Sequence, residues 1–278
     1  MMVLKKLFKF YLNASIHVAL SVFALAWITL IKYDLPFDKN VLFFVFFASV
    51  IGYNFVKYFG LAKQHRRAMA SWLRVIELFS LMCFVLMCYF AFFLELNTLL
   101  SIFAFGLVTF MYAIPFLPKR FFVDKHHNLR SISGLKVYLI GVVWAGVTVL
   151  LPLINKHYKL DNEVFLTAIQ RFIFIIALML PFELRDLKYD SLKLGTIPQK
   201  IGVNRTKTLG IVLALVFFFL EFLKQHIIGH YILIQFIVTT LLILYTLGSR
   251  VEQSDVYTAF WVEGLPIVWL LLELGFNT

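Results

Sequence analysis

Charged residues are scarce in this chain: 15% of its 278 residues, where a water-soluble domain carries about 25%. A soluble fold needs that charge to cover its surface, so a single water-exposed globule is excluded. Cysteine is nearly absent. Cys83 and Cys88 lie in one apolar run, LFSLMCFVLMCYF, and five residues apart on a helix they face different directions, which excludes a disulfide scaffold. Acid is the scarcer sign, with 15 Asp and Glu against 26 Lys and Arg. The 13 Gly and 7 Pro form no matched pair of interrupted apolar segments, which argues against an inverted-repeat transporter.

What is abundant is apolar surface. Hydrophobic residues make up 62% of the chain, and 32 residues are phenylalanine. No water-exposed core hides that much, so lipid must be the solvent for most of it. The expectation is an all-α integral membrane bundle in one domain, 1–278. The net charge of +11 raises nucleic acid as a partner, but the basic residues fall in short loops between apolar runs. That distribution fits anionic membrane lipid and not a nucleic-acid groove.

A spanning helix needs about 20 largely apolar residues. Nine runs qualify: 13–31, 41–59, 73–93, 97–117, 135–154, 164–182, 208–224, 228–247 and 258–275. The first follows Lys5, Lys6 and Lys9 with no small-residue cleavage site after it, which reads as a retained span. With the N-terminus inside, 20 Lys and Arg fall on inner segments and five on outer ones, with Arg171 inside a span. The expectation is therefore a multi-pass protein of the inner (plasma) membrane, with its long polar loops, and its site, facing the cytoplasm.

One inner segment differs from the rest. Residues 181–202 read PFELRDLKYDSLKLGTIPQKIG. On a continuous helix Glu183, Asp186, Asp190 and Lys193 share an arc of about 80°, while Arg185 and Lys188 point elsewhere. Gly195 and Pro198 mark its end. Stacked carboxylates repel unless a cation binds them. Oxygen ligands so spaced suit Mg²⁺, which takes one or two carboxylates together with substrate phosphates. A solvated helix end paired with nearby bases is the simpler alternative.

That stretch resembles the second aspartate-rich motif of the UbiA-type membrane prenyltransferases, D-x-x-D-x-x-x-D followed by a basic residue, a T-L-P-like element and a glycine. Glu183 stands at the first acidic position, Asp186 and Asp190 at the others, Lys193 at the basic one, and Thr196, Pro198 and Gly202 in the tail. FMYAIPFLPKRF (110–121) is similar to the family's Y-S-x-P-x-x-x-K element, LKVYLIGVVWAGVTVLLP (135–152) to its fifth span, and VEGLP (262–266) to its D-G element. The resemblance implies nine spans and a prenyl diphosphate held by Mg²⁺, whose isoprenoid group passes to an aromatic or other lipophilic acceptor. It implies Asp186 and Asp190 as catalytic residues, and Glu183, Asp186 and Asp190 as metal ligands, with one ion expected here. Asn54, Lys57, Lys119, Arg120 and Lys193 are implied to face the diphosphate.

The first motif departs from the family. In place of N-D-x-x-D-x-x-x-D the chain reads YNFVKYFGLAKQHRR; Asn54 remains, while Tyr58 and Ala62 stand at aspartate positions. A cation supplied by Lys57, beside the vacant position, or by Arg66 is then expected to stand in for the lost metal against a diphosphate, where a positive-inside loop meeting anionic lipid is the simpler alternative. A non-catalytic protein of the same fold, binding an isoprenoid, another lipid or a membrane partner, is the alternative. Of the acids within or beside spans, Glu77 and Glu263 are expected at wet interfaces, and Glu221 and Arg171 are expected to snorkel outward.

Overall fold

The computed structural model describes residues 2–64, 71–113, 134–189, 195–225 and 228–276. The helices in chain order are α1 (Met2–Asn13), α2 (Ile16–Lys32), α3 (Lys39–Gln64), α4 (Ser71–Ala91), α5 (Leu96–Ala113) and α6 (Leu135–Ala145). They continue with α7 (Leu151–Asn155), α8 (Asn162–Asp186), α9 (Ile197–Ile201), α10 (Val203–Phe219), α11 (Gly229–Gly248) and α12 (Leu265–Phe276). Short π-helical segments, Gly146–Leu150 and Tyr257–Val262, lead into α7 and α12. No strand occurs among the described residues.

Seven of these segments are long and apolar enough to cross a membrane, and α1 with α2 makes an eighth if the two count as one bent span. They do not form a straight one. The chain breaks at Ala14 and Ser15 and turns by 56°, with Ser15 in the left-handed region at φ 58°. The sequence placed the start of the first span at residue 13; the helix that continues inward from it is Ile16–Lys32. The run 97–117 is described as helix as far as residue 113, with its apolar stretch over Leu96–Thr109.

The core gathers around α2, which packs against α3, α12 and the first π segment. The π segments disturb the helical pairing of main-chain carbonyls, and side chains of α2 bond several of those carbonyls. Pro152 lacks the N–H that would bond Thr148, and the Thr29 hydroxyl donates to that carbonyl at 2.7 Å. At the second π segment, Ser21 donates to the carbonyl of Glu263 and His17 Nε2 bonds the carbonyl of Phe260 at 2.9 Å. Gly264 makes the approach possible, since a Cβ there would lie 3.0 Å from the His17 ring. An unmet buried carbonyl costs about 1–3 kcal/mol, so these side chains make the irregular turns affordable in lipid.

Phe174, Phe217 and Trp269 close the α8–α10–α12 junction, with ring centroids 5.0–5.6 Å apart and each side chain fully buried. The outward faces of α4 and α5 carry Leu78, Leu81, Val85 and Phe103, all more than half exposed, as lipid-facing helices require.

Candidate functional site

The two halves of the sequence-predicted site come to the same end of the bundle. Here α3 and α8 finish while α2, α6 and the second π segment begin. The α8 helix starts on Asp161, whose carboxylate accepts from the amides of Glu163 and Val164. It runs through Pro181 and ends at Asp186. It therefore stops earlier than the continuous acidic helix read from the sequence. Glu183 and Asp186 lie on it, whereas Asp190 and Lys193 fall outside the described residues, as do Lys119 and Arg120. Pro198 does not trail that helix. It lies in the first turn of α9, where Thr196 and Gln199 form a capping box, and Gly202 at φ 83° turns the chain into α10.

Glu183 is 1% exposed, and its Oε1 lies 3.2 Å from the ammonium of Lys136 on α6. The same ammonium reaches Asp186 Oδ2 at 3.4 Å. Arg185 takes the other oxygen, with Nη2 at 2.7 Å and Nε at 2.9 Å from Oδ1, and its Nη1 donates to the Thr258 hydroxyl at 2.8 Å. Two carboxylates are thus matched by two cations, and the guanidinium also ties α8 to the second π segment. Arg185, which a helical wheel turns away from the acidic stripe, is its nearest partner.

The first-motif positions have a different geometry. Asn54 on α3 is buried; its amide donates to the carbonyl of Ala14 at 3.2 Å and to the Ser80 hydroxyl at 2.9 Å. Lys57 Nζ donates to Ser15 Oγ at 2.9 Å, and Tyr58 donates to the carbonyl of Asn13 at 2.8 Å. Three residues within one turn therefore engage three consecutive residues of the α1–α2 break, Asn13 and Ala14 through their carbonyls and Ser15 through its hydroxyl. Lys57 lies within electrostatic reach of Arg185 and of Glu263, which is where the first-motif and second-motif segments meet.

A divalent ion fits the described acids poorly. Mg²⁺ binds oxygen at about 2.0–2.1 Å and needs carboxylates bare toward it. The Lys136 ammonium lies between Glu183 and Asp186, and a doubly charged ion 4 Å from it would be repelled by about 8 kcal/mol at an effective dielectric of about 20. Among the described residues no group of three His, Cys, Asp or Glu side chains has metal-site geometry.

At the opposite end of the bundle the structure corrects the sequence reading of two charges. Arg171 and Glu221 do not snorkel; they are 2% and 6% exposed. Arg171 donates to the carbonyl of Leu25 at 3.0 Å and stacks over Trp269, 5.0 Å from the ring centre. Glu221 is bridged by Lys32 at 3.3 Å and Lys224 at 2.9 Å, and accepts from the Gln170 amide at 2.8 Å. Nothing in sequence spacing links positions 32, 171, 221 and 269; only the packing does.

No family model matches this chain, and no curated protein matches it. Among solved structures it is similar to one described as a digeranylgeranylglyceryl phosphate synthase in membranes. The identity is 18% and the TM-score 0.55, over 97% of this chain and 96% of the other. The two share a fold. That likeness runs nearly end to end, as the resemblance implied, and with the long apolar helices among the described residues it gives this chain the helical, multi-pass membrane fold of that structure. At this identity it carries the architecture and not the individual ligands of the site.

Proposed function

We propose that this protein binds a prenyl diphosphate at the end of the bundle where α3 and α8 finish and transfers its isoprenoid group to a lipophilic acceptor in the membrane. The observation that carries this reading is the shared fold over nearly the whole chain, together with the meeting of Lys57, Arg185, Asp186 and Glu263 at one end of it. We take that end to be cytoplasmic, since the flanking loops hold most of the basic residues.

In this reading the cationic side chains face the diphosphate. When the bond between the first prenyl carbon and oxygen breaks, the diphosphate keeps the electron pair, and a positive group in a partly dry site holds that charge better than water does. The acceptor then bonds to the prenyl carbon and gives up a proton. An apolar groove of about 530 Å³ runs between Phe10 of α1 and Val75, Phe79, Met82 and Val85 of α4. That groove offers an isoprenoid tail dry surface along the outward face of α4. Mg²⁺ is the family's expected cofactor, and none of these steps uses it.

A second reading has its own support. The first-motif positions are occupied in holding the α1–α2 break, and Glu183 and Asp186 are already neutralised, which is how a protein that binds an isoprenoid without transferring it would look. One experiment separates the two. The purified protein in lipid nanodiscs is given radiolabelled geranylgeranyl diphosphate and a lipid extract as acceptor. Labelled lipid product with release of pyrophosphate, lost in Arg185→Gln, supports transfer; saturable binding without pyrophosphate release supports the binder; no binding ends both.

A further inference from the structure

We infer that Lys136 permanently fills the place of the divalent ion in the acidic motif, so that this site works without a metal. The inference rests on the proposed function only for the identity of the site. The motif's first two carboxylates do not stand open toward a ligand. Glu183 is almost completely buried, and the group beside it is an ammonium, 3.2 Å from Glu183 and 3.4 Å from Asp186. The Asp186 oxygen left over is held side-on by Arg185. A cation that bridges two motif carboxylates, placed by a different helix, has the position and sign of a bound ion, but it is covalently part of the fold and cannot exchange. Lys136 is placed there because α6 starts at Leu135, after Gly134 turns the chain at φ 74°. Its ammonium thus meets the end of α8 from the first turn of α6.

The first motif follows the same logic. Where the family has an aspartate for an ion, this chain has Tyr58, with Lys57 beside it, and both donate hydrogen bonds to the α1–α2 break. A chain that had lost one ion and kept the other would keep Glu183 and Asp186 bare toward it, and both are paired with cations of the chain instead. The chemical consequence is a site whose charge is set by its side chains, indifferent to the supply of Mg²⁺. Lys136 is a positioning residue in this account, acting through Glu183 and Asp186 and not on a substrate.

The test uses Mn²⁺ as the probe and needs no substrate, so it stands or falls separately from the transferase reading. Free Mn²⁺ is followed by electron paramagnetic resonance during titration of the full-length protein in detergent. The wild type is expected to show no saturable site. Lys136→Ala, which removes the ammonium from both carboxylates, should gain one saturable Mn²⁺ site per chain, and Lys136→Ala with Asp186→Asn should lose it again. Lys136→Gln keeps the volume and a donor while removing the charge; it takes the place of the alanine variant if that chain fails to fold. A saturable Mn²⁺ site in the wild type that Asp186→Asn abolishes would overturn the inference. So would folded Lys136 variants that gain no metal. A merely structural lysine would change stability on removal but would not create a metal site.

Discussion

The amide of Asn54 donates to the carbonyl of Ala14 across 3.2 Å, joining the third helix to the break between the first two. With Lys57 on Ser15 and Tyr58 on Asn13, it adds to the Tyr11–His17 hydrogen bond that joins α1 to α2 directly. Asn54→Leu should lower stability by about 1–3 kcal/mol, because it orphans a buried carbonyl. Tyr58→Phe should cost less, its bond being more exposed. The specific readout is at α1. Limited trypsin digestion should cut at Lys5, Lys6 and Lys9 faster in Asn54→Leu than in wild type, and equal rates would assign the clamp no role.

The α1 helix has the composition of a segment that lies on a membrane surface. Val3, Leu4 and Leu7 are at least 60% exposed, Lys5, Lys6 and Lys9 are exposed beside them, and Phe8 and Phe10 pack back onto Phe260 and Phe79. A probe at Val3→Cys, in a chain with Cys83 and Cys88 replaced by Ala, should be quenched by brominated lipids. The quenching should deepen when phosphatidylglycerol replaces phosphatidylcholine, at about 1 kcal/mol per lysine. Quenching that ignores lipid charge in both wild type and a triple Lys→Gln variant would leave α1 as an ordinary solvated helix.

Buried ion pairs lose most when one member is removed. Arg171→Leu and Lys32→Met should each destabilise the bundle, whereas Lys32→Met combined with Glu221→Met should cost less than the sum of the two single changes. The magnitude for a single change is about 3–5 kcal/mol. Unfolding in mixed detergent micelles measures it, and additive losses would show that the pair is not coupled.

Asp38 gives the fold a sensitivity to acid. It is buried before the start of α3, and although burial opposes its ionisation, the Asn155 amide at 2.8 Å and Lys156 at 3.1 Å hold its carboxyl below the ordinary 3.8. A depressed carboxyl contributes stability above its unfolded value, and that contribution disappears as pH falls through the folded one. Stability should therefore drop below about pH 4 more steeply in wild type than in Asp38→Asn. Parallel acid profiles for the two proteins would count against the pair.

The sequence made some of this legible and hid the rest for physical reasons. Hydropathy announces membrane helices because lipid leaves the backbone no partner outside the helix, and the order of the motif-like segments foretold a fold that a solved structure shares at 18% identity. The partners of the acids were invisible. Lys136 looks like any basic residue of a loop end until α6 and α8 are packed together, and Arg185 looks misdirected until its long side chain folds back onto its neighbour. The role of His17 was equally hidden, because its partner, the Phe260 carbonyl, lies 243 residues away. The clamp on the α1–α2 break was hidden for the same reason: the first motif's residues were read for what the family's aspartates do.

The cluster that joins Lys32, Arg171, Glu221 and Trp269 has a consequence for biogenesis. Its members come from the second, eighth, tenth and twelfth helical segments, with Glu221 in the turn that ends α10. During synthesis Lys32 and Arg171 must enter or approach the bilayer long before Trp269 exists. Until then the guanidinium has only the carbonyl of Leu25 and the hydroxyl of Thr29 to meet it. The nascent bundle therefore carries buried positive charge with no anion beside it until Glu221 arrives, and no aromatic face until the last helix is made. Early helices of such a chain gain by waiting, in the insertion machinery or at the membrane surface, for the end of their own sequence.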